Sequence, residues 1–513
     1  MYVTDVETTR RIDQRAMTEY GIPGILLMDN AAMAVKRHLD LEKDYFVVVC
    51  GTGNNGGDGM ALALKLKNLN KEVDVFLISE MKEPHGDAKI FYDIIMKTGV
   101  SLETVSDADH LWSFIEALKD ADVVIDALLG TGIEGDVSPL YSAVIESMND
   151  FAPKIISVDI PSGLSADKGI PMPVAVFAAR TVTFETIKKG LISYRALPYV
   201  GKLEVEPIGI PEELIREEVS PVYFTDQSEA KKMIPLREIT GHKNHYGRVL
   251  VVAGSRGFTG AAMLSSEAAL ATGSGLVTLC SYDETMEILV PRLTEIMSLY
   301  EEDLEEGVRK ADIVAFGPGL GNSKDTFQLL LRVIKTLQEE GKSDTTLVID
   351  ADGLNALEGR TEILKPLCFN VVLTPHPGEM ARLTGKTVKD VEENRLDTAK
   401  RFAEEHEVIV VLKGYHTVVT DGHTVHINST GSSAMAQGGM GDVLTGIIAS
   451  LCGQGLLPLE GAILGTYIHG CIGDQLALER YSVKASEIIE NIPFYMKKLL
   501  EKRRCSSSRK SSL

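Results

Sequence analysis

Short runs of Val, Ile and Leu alternate with longer amphipathic segments along the whole 513-residue chain. In the first half the runs are YFVVVC (45–50), EVDVFLI (72–78), ADVVIDALLG (121–130) and KIISVDI (154–160). They are continuous rather than alternating, as in strands buried on both faces. MALALKLKNLN (60–70) reads as the helix after the first strand. The second half repeats the grammar with RVLVVAGS (248–255), DIVAFGPG (312–319), TLVIDADG (346–353), NVVLTP (370–375) and VIVVLKG (408–414). GGMGDVLTGIIASLCGQG then reads as a glycine turn opening a buried helix, and GAAMLSSEAALATGSG has the small side chains that allow close helix–sheet approach. This order predicts an α/β protein with parallel sheets covered by helices. The halves share no motifs, so internal duplication is not supported.

The length exceeds the roughly 250–300 residues at which single cores stop growing. The segment VEPIGIPEELIREEVSPVYFT mixes prolines and acids and reads as a connection, with a boundary near 215–225. The expected units are therefore 1–220 and 221–500, followed by a basic, Ser-rich, disordered tail at 501–513. With 52 Lys and Arg against 73 Asp and Glu, the net charge is −21. That balance disfavours nucleic acid and anionic membrane as partners. No apolar run reaches a membrane span, and MYVTDVETTRR has no signal-like apolar core. Six scattered cysteines (Cys50, Cys280, Cys368, Cys452, Cys471 and Cys505) form no CxxC. Reduced thiols in a cytoplasmic protein are the expectation, not a zinc site.

The first strand runs into Gly51-Thr52-Gly53-Asn54-Asn55-Gly56-Gly57-Asp58-Gly59. This contains G-x-G-x-x-G, where a helix N-terminus can meet a phosphate. Asp58 would repel a pyrophosphate unless it met a hydroxyl or a cation. A tight turn needing several positive φ values is the competing explanation. The density of glycine and asparagine exceeds that need, so Asn54, Asn55, Gly56, Gly57 and Asp58 read as a site. Asp126 precedes a second loop, Gly130-Thr131-Gly132-Ile133-Glu134-Gly135-Asp136, and Asp159 lies beside Pro161, Ser162 and Gly163. Ligands of open α/β sheets collect at such carboxyl ends, though loop capping by either acid is the simpler alternative.

GTGNNGGDG, DALLGTGIEGD, VDIPSG, TFETIKKGL (183–191) and GIPGILLMDNAA (21–32) together resemble the NAD(P)H-hydrate epimerase family across most of residues 1–215. The resemblance implies a Rossmann-like α/β/α domain that interconverts the C6 epimers of hydrated NADH or NADPH. Asp159 is the candidate for the proton transfer this needs. Lys188 is a candidate partner for a phosphate or carboxamide oxygen, with a surface lysine as the alternative. The resemblance also implies K⁺ at Asn55, Asp126 and Ser162, substrate contacts along Gly130–Asp136, and Tyr141 at the rim.

In the second half Gln437-Gly438-Gly439-Met440-Gly441-Asp442 opens an apolar helix. Its amides could stabilise a phosphoryl group in transfer, and Asp442 could accept the proton of the attacking hydroxyl. There is no P-loop lysine motif. HYGRVLVVAGS, FTGAA, GPGLG, DADGLN, LTPHPGE, VLKG and GGMGDVLTGII resemble the ribokinase-like ADP-dependent NAD(P)H-hydrate dehydratase family over about residues 235–495. That likeness implies Ala261, Gly319 and His376 near the hydrate. It implies Lys413, Gly414, Tyr415, His416 and Thr417 at the nucleotide, with Gly438, Gly439, Met440 and Gly441. ADP would be the co-substrate and Mg²⁺ would arrive on its phosphates. The combined expectation is a bifunctional repair enzyme, with self-association left open. Rival readings are a vitamin or sugar kinase fused to a nucleotide-binding module, an N-terminal ligand-binding scaffold, and a dehydrogenase using Glu80 for the ribose.

Overall fold

The computed structural model describes residues 1–508 except 81–82, 109–110, 133–134 and 366, with side chains described to residue 501. It divides into two compact units, Met1–Val222 and Tyr223 onward.

The first unit is built on seven parallel strands in the spatial order Ser101–Val105, Glu72–Ile78, Tyr45–Cys50, Val123–Ala127, Ile155–Val158, Arg180–Phe184 and Lys202–Glu206. The strand Tyr45–Cys50 shows why its sequence is apolar throughout. Phe46, Val48 and Cys50 pack into one core layer with the helices Gly24–Arg37 and Asn54–Lys67. Val47 and Val49 pack into the other with Trp112–Asp120 and Pro139–Phe151. The chain moves outward in one direction from Tyr45–Cys50, then returns to its other side at Val123–Ala127. The crevice at the carboxyl ends of these two strands is thus the topological switch point. A small parallel pair, Val3–Thr4 with Ile187–Lys188, brings the helix Val6–Thr18 beside the segment that carries Lys188.

The second unit has a ten-stranded sheet ordered Val222–Thr225, Val425–Asn428, Val418–Thr420, Ile409–Leu412, Asn370–Leu373, Thr346–Ile349, Ile313–Phe316, Arg248–Val252, Leu276–Ser281 and Met297–Tyr300. Its switch point lies between Arg248–Val252 and Ile313–Phe316. The sheet is not wholly parallel as expected: Ile409–Leu412 pairs antiparallel with Val418–Thr420, which pairs antiparallel with Val425–Asn428. The connections are too short for the dozen or so residues of a parallel crossover. The small-residue segment forms the helix Thr259–Thr272, which packs against Met440–Gly453. A Cβ at Gly446 would lie 2.1 Å from Ser265 O, so these helices meet backbone to backbone. The final helix, Ala485–Ser508, continues through Ser508 into the stretch expected to be a disordered tail, and residues 509–513 lie outside the described residues. Among the described residues no helix is long and apolar enough to cross a membrane.

Candidate active sites

At the first switch point a cavity of about 450 Å³ is lined by the start of the helix Asn54–Lys67, the loop after Asp126, and Asp159 and Lys188. None of Gly51, Gly53, Gly56, Gly57 and Gly59 has a positive φ, so the turn explanation fails. They are spacers instead. A Cβ would lie 2.1 Å from Leu128 O at Gly51, 1.9 Å from Gly51 O at Gly56, and 2.5 Å from the Ala127 Cβ at Gly59. No side chain caps the helix start, which leaves its amides free for a ligand. Asn54, Asn55, Gly56, Asp58, Gly130, Thr131, Gly132 and Tyr141 line the cavity. Gly57 faces Met28 and Ala88 instead, and Gly135 and Asp136 are exposed outside it. Ile133 and Glu134 lie outside the described residues. Burial, and then the charge of Glu80, push the Tyr141 hydroxyl up.

Lys188 is not a surface lysine: it is 1% exposed. Its ammonium donates to Asp159 Oδ1 at 2.5 Å, Thr183 Oγ1 at 3.0 Å and the Phe184 carbonyl at 3.1 Å. Thr183 in turn donates to Asp159 Oδ1 at 3.0 Å. Asp159 adopts φ = 63°, a conformation that costs a non-glycine residue energy and is typical of functional positions. Burial, then the charges of Asp159 and Asp13, push the Asp58 carboxyl well above its ordinary range, with Lys188 opposing. Asp13 is pushed up to about 6 by burial and by Asp159 and Glu185, again against Lys188. Asp13 and Asp58, beside an ammonium already paired with Asp159, thus keep their protons to higher pH than exposed carboxyls do. Asp13 was not singled out from the sequence. The available signal was an acid inside the cavity-facing stripe Thr9–Ile12–Asp13 of its helix.

Asp126 is completely buried and accepts four hydrogen bonds, from Ser157 Oγ (2.7 Å), Ser162 N (2.9 Å), Ser162 Oγ (2.5 Å) and Leu128 N (3.4 Å). It therefore fixes the loops around it, while burial still raises its pKa. Asn55 donates to the Leu129 carbonyl, and its Oδ1 is buried without a hydrogen-bond partner. Glu80 accepts from Ser138 and does not line the cavity.

At the carboxyl edge of the second sheet Lys413 Nζ donates to Asp350 Oδ1 at 2.7 Å and lies 3.9 Å from Glu379 Oε2. Asp350 is 1% exposed and also accepts from Thr445 Oγ1 at 2.8 Å. Burial opposes ionisation of Asp350, yet the charge and hydrogen bond of Lys413 hold it below its ordinary value. Ala351 follows with φ = 47°, another strained position. A Cβ on Gly441 would lie 3.3 Å from Lys413 Nζ and 3.7 Å from Asp350 Oδ2, so the glycine loop approaches this ion pair. Asp442 is pushed up to about 6 by burial and by Asp350, with Lys413 opposing.

His376 Nδ1 accepts from the Gly378 and Glu379 amides at 3.0 and 3.3 Å, capping the helix Pro377–Thr384. Its proton therefore sits on Nε2, 3.3 Å from Glu379 Oε1. Burial and Lys413 push its pKa down. Glu379 also accepts from the His376 amide at 2.7 Å and is pushed up to about 7 by burial and Asp350, with Lys413 opposing. Asp350 and Glu379 stand inside DADGLN and LTPHPGE, outside the residues that the sequence singles out. An acid closing an apolar strand, and a Glu three residues after a cap, were their signals.

Ala261 and Gly319 are neighbours: a Cβ on Gly319, at φ = 64°, would lie 2.9 Å from the Ala261 Cβ. Thr417 Oγ1 closes Lys413–Thr417 by donating to the Gly414 carbonyl at 2.9 Å. Tyr415 is exposed and its ring lies 3.9 Å from that of His416. Gly438 faces open space and Gly439 turns at φ = 92°. The Met440 side chain points into the core, so only its backbone is available to a ligand.

Two doubly wound units, each with glycine loops and a lysine–carboxylate ion pair at the carboxyl edge of its sheet, define a fused two-site α/β enzyme. Residues 25–190 match the family described as YjeF-related protein N-terminus, and residues 249–494 match NAD(P)H-hydrate dehydratase. The bifunctional NAD(P)H-hydrate repair enzyme Nnr of Moorella thermoacetica is 39% identical, covering 98% of this chain and 98% of its own. The Nnr enzyme of Escherichia coli is 33% identical over 93% of this chain and 89% of its own. A crystal structure of a ribokinase-like superfamily protein from Enterococcus faecalis aligns with 54% of this chain and 96% of its own, at 29% identity and a TM-score of 0.50. The chain belongs to the bifunctional NAD(P)H-hydrate repair enzyme family.

Proposed function

We propose that this chain repairs hydrated NADH and NADPH at two independent sites, interconverting the C6 epimers at the first and dehydrating the S epimer with ADP at the second. The observation that carries this reading is the placement, in each unit, of carboxyl groups with raised pKa beside a lysine–carboxylate ion pair and a glycine loop. At the first site Asp159 exchanges the proton that reversible opening at C6 requires. Asp13 and Asp58 form the local proton store, and Lys188 keeps Asp159 oriented. The glycine-loop amides and the 130–136 loop hold the dinucleotide.

K⁺ fits the first site, because Asn55 Oδ1 is buried without a partner, Asn55 and Ser162 both donate to the Leu129 carbonyl, and Ser162 donates to Asp126, a set of hard oxygens. Held there by Asn55, Asp126 and Ser162, it would supply fixed positive charge beside the loops.

At the second site Asp442 accepts the proton of the hydrate's C6 hydroxyl as that oxygen attacks the terminal phosphorus of ADP. AMP leaves. Loss of phosphate from C6, with a proton from the adjacent ring carbon, restores the dihydronicotinamide. Lys413 and the amides of Gly438–Gly441 neutralise charge on the transferring group. Asp350, Asp352, Glu379 and Asp442 outnumber Lys413 and Arg382, the cations acting on them, so a Mg²⁺ carried by the nucleotide is electrostatically suited to the site.

Incubating mixed NADH hydrate epimers with ADP, Mg²⁺ and K⁺, and following both by chromatography, tests the proposal. Both epimers are consumed, giving NADH, AMP and phosphate. Asp442→Asn stops NADH recovery but leaves epimer exchange intact, whereas Asp159→Asn leaves one epimer unrepaired beyond its spontaneous exchange. A phosphate ester that persists would establish a kinase instead, and loss of both activities in Asp442→Asn would refute two independent sites.

A further inference from the structure

The second unit holds a cluster that neither candidate site uses. Glu405 and His406 end the helix Arg395–His406, and Glu362 lies on the short helix Thr361–Leu364. Each of the three places one ligand atom within 4.8 Å of the others. These segments precede the strands Ile409–Leu412 and Asn370–Leu373, so the cluster sits at the amino edge of the sheet. Lys413 and the other residues of the second site follow the strands at the carboxyl edge.

Two exposed carboxylates alone would be ordinary surface. His406 is what distinguishes the cluster: its ring is buried, at 4% exposure. Its Nδ1 lies 3.1 Å from the Phe402 carbonyl, which can only accept, so Nδ1 carries the proton. Nε2 is left as a lone-pair donor, buried and without a hydrogen-bond partner. An imidazole that donates one N–H to a backbone carbonyl while its other nitrogen stays free is the arrangement found in metal-ligating histidines. Stacking on the Phe402 ring, with centroids 4.2 Å apart, fixes the imidazole plane. The C-terminal end of a helix also favours positive charge.

We propose that Glu362, Glu405 and His406 form a binding site for a first-row divalent cation of the zinc class, with solvent completing the coordination. Imidazole with two carboxylates suits Zn²⁺, Co²⁺ or Mn²⁺ better than Mg²⁺, whose ligands are oxygens. Lys365 supplies the charge balance in the metal-free form, with Nζ 3.4 Å from Glu405 Oε1 and 3.8 Å from Glu362 Oε2. It is the ammonium that a cation displaces. The site ties the short helix to the end of the long one, so its occupancy stabilises that edge of the sheet rather than serving either reaction.

Equilibrium dialysis of the full chain against Zn²⁺ tests this, with Co²⁺ absorption spectra reporting ligation. The wild type binds one Zn²⁺ that the Glu362→Gln/Glu405→Gln double variant binds at least about 10–100-fold more weakly. Both carboxylates are exposed, so the variant folds. Lys365→Ala binds Zn²⁺ more tightly than the wild type, because the competing ammonium is gone. His406→Gln loses the Co²⁺ spectrum. Equal Zn²⁺ stoichiometry and affinity in the wild type and the double variant would overturn the proposal, as would weaker binding in Lys365→Ala.

Discussion

Lys188→Met is the most informative perturbation of the first site. Methionine retains most of the volume but removes the ammonium and its three hydrogen bonds, to Asp159, Thr183 and Phe184. Breaking a buried ion pair from one side leaves an uncompensated charge and costs about 3–5 kcal/mol. The deficit depends on pH. Lys188 opposes the upward shifts of Asp13, already at about 6, and of Asp58, so its removal lifts both carboxyls further. A carboxyl raised in the folded state favours folding when protonated, an advantage complete below its unfolded value and lost as pH rises through its folded value. The variant's deficit therefore grows as pH rises through and above about 6, where Asp13 ionises in the wild type but is held protonated in the variant. Adding Asp159→Asn removes the stranded charge, and the pair couples by about 0.5–3 kcal/mol. A chain of two units need not unfold in one step, so the readout must separate them. Urea titration with pulsed hydrogen exchange, read peptide by peptide, does so. Peptides from Met1–Val222 should lose protection early, and those from Tyr223 onward should not. A loss below about 1 kcal/mol, the range of exposed pairs, would refute the buried-pair argument. So would equal losses well below and well above pH 6.

For dehydration, the acid limb of kcat/KM should fall below about pH 6 as Asp442 protonates. Asp350→Asn removes a like charge and should move that limb to lower pH; an unmoved limb assigns it to another group. Epimer exchange should run faster in K⁺ than in an equal concentration of choline, and Asn55→Ala should abolish the difference, read from exchange rates by chromatography. Gly56→Ala would place a Cβ 1.9 Å from a backbone oxygen and should cost about 3 kcal/mol or more. Gly53→Ala, with open space and φ = −91°, should stay within about 1 kcal/mol in the same unfolding assay.

The central strands were the most legible part of the fold. Tyr45–Cys50 and Glu72–Ile78 form over the same residues that their apolar runs mark, because burial on both faces admits only such sequences. The interior strands Arg180–Phe184 and Leu276–Ser281 go unmarked, their runs broken by Thr and Ser, and so do Ser101–Val105 and Met297–Tyr300 at sheet edges. The partly solvated faces of these edge strands carry Ser, Glu and Thr, which break the signal. Among site residues, the acids that close strands could be read locally. Asp13 offers only an acid on one helix face, because what brings that face to the cavity is the pairing of Val3–Thr4 with Ile187–Lys188. Lys188 was read without its burial for the same reason: its partners Asp159 and Thr183 come from separate strand ends.

The glycines of the first loop make the helix start immobile rather than supple. With Gly51, Gly56 and Gly59 in direct contact with neighbouring strand and loop atoms, the amide dipoles facing the cavity are oriented before a ligand enters. A site built this way loses nothing to reorganisation when charge develops. Its tuning rests on positions where side chains are missing, and the smallest of them, one methyl group at Gly56, is enough to detune it.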